Sequence, residues 1–257
     1  MQTKPIHELK KLFQSGHINE KSVENLRTDK RKGVQRLIAI YDKQKQKQAQ
    51  LEADFKRKWQ FENTFLSHQD DYIAGVDEAG RGPLAGPIVA AAVILPNTFT
   101  YYGLNDSKQL TEIERNALFH TITNTAISYS ISILPPADID RLNIFEATKQ
   151  VMKNALLTLS QHPDIALIDA VKLDDLPFLT KEIIKGDEKS LSIGAASILA
   201  KVTRDKLMIE LDEQFPMYSF KRNKGYGTKE HLLALKKYGP SIHHRKSFSP
   251  VKNIQTM

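Results

Sequence analysis

The stretch Tyr72-Ile-Ala-Gly-Val-Asp-Glu-Ala-Gly-Arg-Gly-Pro-Leu-Ala-Gly-Pro-Ile-Val-Ala-Ala-Ala-Val-Ile-Leu95 sets two apolar runs on either side of a glycine-rich turn that carries two adjacent acids and an arginine. Residues 72–76 predict a short buried strand, and residues 88–95, rich in small and β-branched side chains, predict a second. Asp77 and Glu78 fall where the first strand ends. Gly80, Gly82 and Gly86 allow positive φ or close approach to a ligand, while Pro83 and Pro87 stiffen the connection. Such a turn can present bare N–H groups to a substrate.

Downstream, residues 105–110 form a loop leading into a helix, where Thr111 and Glu114 have capping-box spacing. Residues 127–134 alternate Ile with Ser or Tyr, as a half-buried third strand does, and Pro135-Pro136 ends it. Helical patterns at 137–142 and 145–159 precede a buried strand at 165–169. A fifth strand is expected near 182–185. Residues 190–215 read as a long helix, apolar almost all round until Ala200, so its first half must be buried. Strands first, then alternating helices and strands, with one antiparallel pair at the start, make an α/β layout with a mixed sheet.

Upstream, residues 1–70 read as helical. Ile6, Leu9, Leu12 and Phe13 have helix spacing up to Gly16, Asn19 is placed to cap a second helix to about Arg27, and a third spans about 30–65. Its middle, residues 42–50, is so polar that it is either an exposed face or frayed. Trp59 serves either as an anchor between helices or as a platform for a base. The 257-residue chain has a formal charge of +7, and residues 1–70 hold 15 Lys and Arg against nine Asp and Glu, whereas residues 71–257 hold 22 against 21. The excess base is therefore N-terminal, either as a solvated face or as a grip on a polyanion. The polar run at 67–71 marks the expected boundary between a basic helical accessory segment (1–70) and a catalytic domain (71–257). The absence of cysteine excludes disulfides and thiolate metal sites. With no apolar run of about 18 residues and no secretory leader pattern, the expected location is the cytoplasm, with no membrane association.

Acids stand at three strand ends: Asp77 and Glu78, Asp169, and Asp187. A single Asp there serves as readily in a turn or cap. If the strands are neighbours, however, four carboxylates converge, and their repulsion requires a cation. Oxygen ligands without Cys suit Mg²⁺ or Mn²⁺, and two such ions about 4 Å apart are a standard apparatus for phosphodiester cleavage, one activating water and one stabilising the leaving oxygen. Asp174, Asp175 and Glu188 compete for these roles but fit a solvated face or helix start better. A P-loop nucleotidase is poorly supported, since no Lys follows the glycines at the required spacing.

Six motifs in order, Asp77-Glu-Ala-Gly-Arg-Gly-Pro-Leu-Ala-Gly-Pro87, Asn105-Asp-Ser-Lys108, Leu167-Ile-Asp169, Lys185-Gly-Asp187, Ala195-Ala-Ser-Ile-Leu-Ala-Lys-Val-Thr-Arg-Asp205 and Lys224-Gly-Tyr-Gly-Thr228, resemble the bacterial ribonuclease HII family over about residues 72–250. The resemblance implies a ribonuclease H-like fold, with helices flanking the mixed sheet and a C-terminal helical substrate-binding region; it says little about the N-terminal helical extension at residues 1–70, which compact members of the family lack. It implies a metal-dependent endonuclease that cuts 5′ of ribonucleotides in duplex DNA or RNA/DNA hybrids, leaving 3′-hydroxyl and 5′-phosphate ends, as ribonucleotide excision and primer removal require. Asp77, Glu78, Asp169 and Asp187 match the family's metal-binding carboxylates. Gly80, Arg81 and Gly82 match the loop that reads the ribose 2′-hydroxyl, the group that distinguishes RNA from DNA. Tyr226 matches the tyrosine that stacks on the following deoxyribose, or else is a core or turn tyrosine. Lys108, Ser197, Lys201 and Arg204 resemble nucleic-acid contacts, although Lys201 and Arg204 also fit a solvated helix face and Ser197 a close helix packing. His243-His244 before Arg245-Lys246 resembles a basic C-terminal segment. The Gly-Arg-Gly triplet favours type HII over type HIII. A monomer is expected, and the competing readings are a related-fold nuclease for ordinary DNA and a non-catalytic nucleic-acid-binding protein.

Overall fold

The computed structural model describes residues 4–68, 70–104 and 110–254. The chain divides into two compact units, Met1–Lys56 and Arg57–Met257. The expected boundary after residue 70 thus differs from the division by compactness, which falls within the third helix.

In the first unit, α1 (Ile6–Gln14) and α2 (Glu20–Leu26) precede the beginning of α3 (Lys32–Asn63). Asn19 caps α2 by accepting from the Ser22 N–H at 2.9 Å, a contact worth about 1 kcal/mol. The apolar face of each helix closes on a small core of Leu9, Ile18, Val23, Leu26, Val34 and Ile38. The polar run at 43–50 remains helical and is exposed throughout. Some of the unit's charge is tied up on its own surface, with Arg27 holding Asp42 at 2.8 Å and Lys45 holding Glu20 at 3.0 Å.

In the second unit, the described residues hold a five-stranded sheet of β1 (Ile73–Ala79), β2 (Ile88–Ile94), β3 (Ser128–Leu134), β4 (Ile165–Asp169) and β5 (Leu179–Ile183) in the order β3-β2-β1-β4-β5. β1, β2 and β3 are antiparallel to one another in turn, and β4 and β5 extend the sheet parallel to β1. Helix α4 (Glu112–Thr125) begins with the expected capping box between Thr111 and Glu114. Pro135-Pro136 ends β3 as expected, but Pro136 also opens α5 (Pro136–Leu142), where its fixed φ suits a first helical position. Alternation along β1 assigns its two faces. Ala74 and Val76 join the core made with Val151, Met152, Ala155 and Leu156 of α6 (Ile144–Leu157). Gly75 faces the other way, so close to the start of α8 (Leu191–Gln214) that a Cβ there would lie 2.1 Å from Ile193 N. Residues 191–200 are all buried, as the apolar run requires, and each large aliphatic side chain among them contributes roughly 1.5–3 kcal/mol.

Two strands differ from expectation. β1 runs through Asp77 and Glu78, which pair with Ala91 and Ala90, because the small residues of β2 continue the ladder past the apolar run. β5 lies earlier than residues 182–185. It is an edge strand exposed from Leu179 to Glu182, so it lacks the buried pattern that marks a strand in sequence. Trp59 is half-buried and, with Leu66, Tyr72, Leu95 and Pro96, lines a cavity of about 390 Å³ at the end of β1 away from Asp77.

Candidate active site

Neighbouring parallel strands bring the acids together. Val76 of β1 stands opposite Ile168 of β4, so Asp77 and Asp169 follow at the same end of adjacent strands. Beyond β5 the chain turns through Lys185, in the left-handed conformation at φ 55°, into the short helix α7 (Gly186–Lys189). The Gly186 N–H donates to Asp169 Oδ1 at 2.6 Å, which docks the turn against β4 and delivers Asp187 to the same cleft. A side chain at 186 would require the buried Ile193 to shift, since its Cβ would lie 2.5 Å from Ile193 Cδ1. The cleft, of about 650 Å³, is lined by Asp77, Glu78, Asp169 and Asp187 together with Gly80, Arg81, Gly82, Ser197, Lys201 and Tyr226.

Burial raises the Asp77 carboxyl well above the ordinary range, and the neighbouring charges of Glu78 and Asp169 push it the same way, while hydrogen bonds from Ser197 and the Glu78 N–H oppose. Burial likewise pushes Glu78 up to about 7, against the pull of Arg81 3.5 Å away. Added positive charge favours the ionised form of both carboxylates. Glu78 Oε2 is buried and accepts no hydrogen bond. An all-oxygen donor set with an unsatisfied buried carboxylate oxygen fits a hard divalent cation. Among the described residues no three Asp, Glu or His side chains surround one point. Mg²⁺ is commonly held by one or two carboxylates together with substrate phosphates and water, so such a set is compatible with it.

Two buried guanidinium groups hold the glycine loop from beneath. Arg245, 0% exposed, donates to the carbonyls of Arg81 (2.9 Å), Gly80 (2.6 Å), Gly86 (3.0 Å) and Pro87 (3.2 Å). Arg204, 1% exposed, donates to Pro87 O at 3.0 Å, Ala85 O at 3.1 Å and Lys224 O at 3.0 Å. In a trans peptide the C=O and the following N–H point in opposite directions. Holding the Gly80 and Arg81 carbonyls inward therefore turns the N–H groups of Arg81 and Gly82 away from Arg245. Gly80 adopts φ +102°, and a Cβ there would lie 2.2 Å from Arg204 Nε, so both conformation and space demand glycine.

Tyr226 is exposed, and its ring lies beside Gly82, where a Cβ would be 3.6 Å from Tyr226 Cε1. Its carbonyl is fixed by a buried histidine pair. The Ser241 N–H donates to His244 Nδ1 at 2.9 Å, which leaves the His244 Nε2–H to donate to His231 Nε2 at 3.0 Å and the His231 Nδ1–H to donate to Tyr226 O at 2.9 Å. The chain of donors closes with both rings neutral.

The expected contacts thus divide. Lys201 lines the cleft with its ammonium on Asp205 at 2.8 Å. Ser197 hydrogen-bonds Asp77. Arg204 also lines the cleft but is buried, off any solvated face, and its guanidinium is engaged by backbone carbonyls, which gives it a part in positioning the loop. In the basic C-terminal segment, His244 and Arg245 are likewise internal and engage the protein's own groups. Lys108 lies outside the described residues. Asp174 and Asp175 are exposed and paired with Lys172 and Lys153, away from the cleft, whereas Glu188 lines its edge, 4.0 Å from Lys185. Sequence reasoning missed the part played by Arg245; only its adjacency to paired histidines singled out that segment.

Two family models match, ribonuclease HII over residues 74–251 and the ribonuclease HII N-terminal domain over residues 5–66. The ribonuclease HII of Oceanobacillus iheyensis is 49% identical over 251 residues, covering 98% of this chain and 96% of that protein. The solved ribonuclease H2 of Pyrococcus horikoshii OT3 superposes with a TM-score of 0.63 at 26% identity, covering 72% of this chain and 97% of that one. A Bst-RNase HIII solved in complex with Mn²⁺ shares the fold, with a TM-score of 0.54 at 18% identity over 72% of this chain and 69% of that one. These matches support a hydrolase of the ribonuclease H type. The chain belongs to the ribonuclease HII family.

Proposed function

We propose that the protein hydrolyses the phosphodiester on the 5′ side of a ribonucleotide embedded in duplex DNA or in an RNA/DNA hybrid, leaving a 3′-hydroxyl and a 5′-phosphate. The observation that supports this reading is the shared cleft, which Asp77, Glu78, Asp169 and Asp187 line together with the Gly80, Arg81, Gly82 loop and Tyr226. Asp77, Glu78, Asp169 and Asp187 would hold Mg²⁺ or Mn²⁺, which supplies electrophilic charge for in-line displacement at phosphorus. Ser197 orients Asp77, and the Gly186 N–H orients Asp169. The N–H groups of Arg81 and Gly82, aimed by the Arg245 clamp, hydrogen-bond the 2′-hydroxyl, a contact that a deoxyribose cannot return. Tyr226 packs against the next sugar and reads the junction. Lys201, released from Asp205, meets phosphate, as does Lys108.

The test compares a DNA duplex holding one ribonucleotide with an all-DNA duplex in Mg²⁺ and in Mn²⁺. Cleavage is expected only beside the ribonucleotide, and Asp77→Asn is expected to abolish it while duplex binding persists. Equal cutting of both duplexes would show an ordinary DNA nuclease and refute the role given to the glycine loop. Near wild-type cleavage by Asp77→Asn would refute the carboxylate assignment.

A further inference from the structure

The last turns of α3 belong to the catalytic unit and bury two opposite charges there. Lys58 is 1% exposed, and its ammonium donates to the carbonyl of Asp187 at 2.9 Å and to that of Leu104 at 3.1 Å. Glu62, one turn on and on the same helix face, is 2% exposed. It accepts from the Ser192 N–H at 2.7 Å, from the Ser192 hydroxyl at 3.2 Å and from the Ser190 hydroxyl. Ser190 is itself the N-cap of α8. Lys58 and Glu62 thus grip the two ends of the segment from Asp187 to Ser190.

That segment needs an external hold. It comprises most of a four-residue helix entered through a left-handed Lys185, with Ser190 N–H bonded back to Gly186 O. A helix this short has little stability of its own. The Asp187 carboxylate engages its own turn, Oδ1 accepting from the adjacent Glu188 N–H at 3.0 Å. A buried ammonium is costly unless fully engaged, and a compact point charge on a flexible stem can bind two carbonyls from different segments at once.

We propose that Lys58 is a positioning residue for the active site, fixing through the Asp187 carbonyl where the Asp187 carboxylate stands, with Glu62 locking the adjoining start of α8. This rests on the reading of Asp187 as a cation-holding carboxylate. The helix that ends the N-terminal extension therefore does more than add duplex affinity: its final turns set the geometry of the fourth carboxylate.

The experiment uses full-length wild type, Lys58→Met, Glu62→Gln and Asp187→Asn. It measures Mn²⁺ binding by electron paramagnetic resonance, duplex binding by fluorescence anisotropy without metal, and kcat and KM on the single-ribonucleotide duplex. Lys58→Met is expected to weaken Mn²⁺ binding and lower kcat by roughly 10- to 100-fold, the usual effect of removing a group that orients a ligand, with KM and metal-free duplex binding unchanged. Glu62→Gln is expected to move the same quantities in the same direction by less. A folded Lys58→Met with wild-type Mn²⁺ affinity and kcat, beside an Asp187→Asn that has lost both, would overturn the positioning role alone. Wild-type behaviour of Asp187→Asn would instead overturn the carboxylate assignment beneath it. If Lys58→Met does not fold, Lys58→Gln, which keeps an N–H donor without the charge, carries the comparison with the same outcomes. Failure of both to fold would make Lys58 a structural residue only and end the proposal.

Discussion

At Arg245 one side chain decides the shape of a recognition loop. Its guanidinium engages four carbonyls of the glycine loop and its neighbours, 158 to 165 residues earlier in the chain. Burial lowers its pKa to about 9, with Arg204 nearby acting in the same direction, yet the group stays charged at neutral pH. A lysine keeps that charge but cannot span the fork of carbonyls. Arg245→Lys is therefore expected to cost about 3 kcal/mol through carbonyls left unpaired. It is also expected to reduce discrimination between ribonucleotide and deoxynucleotide substrates more than it reduces binding. Denaturant unfolding and the ratio of cleavage rates on the two duplexes measure these; an unchanged ratio in a folded variant would count against the clamp. That Asp77, Glu78, Asp169, Asp187 and the glycines of the loop would come together was legible in sequence, and they line one cleft, because strand ends and glycine turns are local signals. Arg204, Arg245 and Lys58 were not, since nothing in a run of basic residues says which one is buried.

Among the elements, the segment around the 3₁₀ turn Pro216–Tyr218, helix α9 (Phe220–Asn223) and helix α10 (Lys229–Tyr238) depends on the neutral histidine pair. Burial lowers the pKa of His244 to about 4, assisted by His231, and burial lowers His231 as well. In the unfolded chain both take ordinary values near 6.5. The folded state thus binds fewer protons between about pH 6.5 and 4, so this contribution to stability is complete above pH 6.5 and is lost as pH falls towards 4. The melting temperature should drop over that window, and His244→Phe, which cannot charge, should flatten the drop. A variant with the wild-type pH profile would exclude the pair as its source. Elements with strong patterns, such as the capped α4 and the buried β4, were readable in sequence. β5 was misplaced because an exposed edge strand carries no buried alternation, and β1 was read short because its last residues are acids.

For the whole molecule the decisive feature is where the chain divides. A deletion ending at residue 56 follows the boundary between compact units, whereas one ending at residue 70 also removes Lys58, Glu62 and the Phe61, Phe65 and Leu66 that pack on Ile73, Ile165 and Ile193. The shorter deletion is expected to stay folded and cleave, with weaker duplex binding and a flatter salt dependence as the excess N-terminal charge is lost. The longer one is expected to lose thermal stability and activity together. Melting curves and binding isotherms across salt check both, and equal behaviour of the two truncations would contradict the division at 56. No helix among the described residues is long and apolar enough to cross a membrane. By itself the sequence determined the strand-turn-strand motif, the mixed α/β order, the acids at the strand ends and the family, because these rest on local periodicity and on motifs contiguous in the chain. The tertiary structure alone decided which cations are buried, since a buried cation is defined by distant carbonyls such as the one that joins Lys58 to Asp187 across 129 residues.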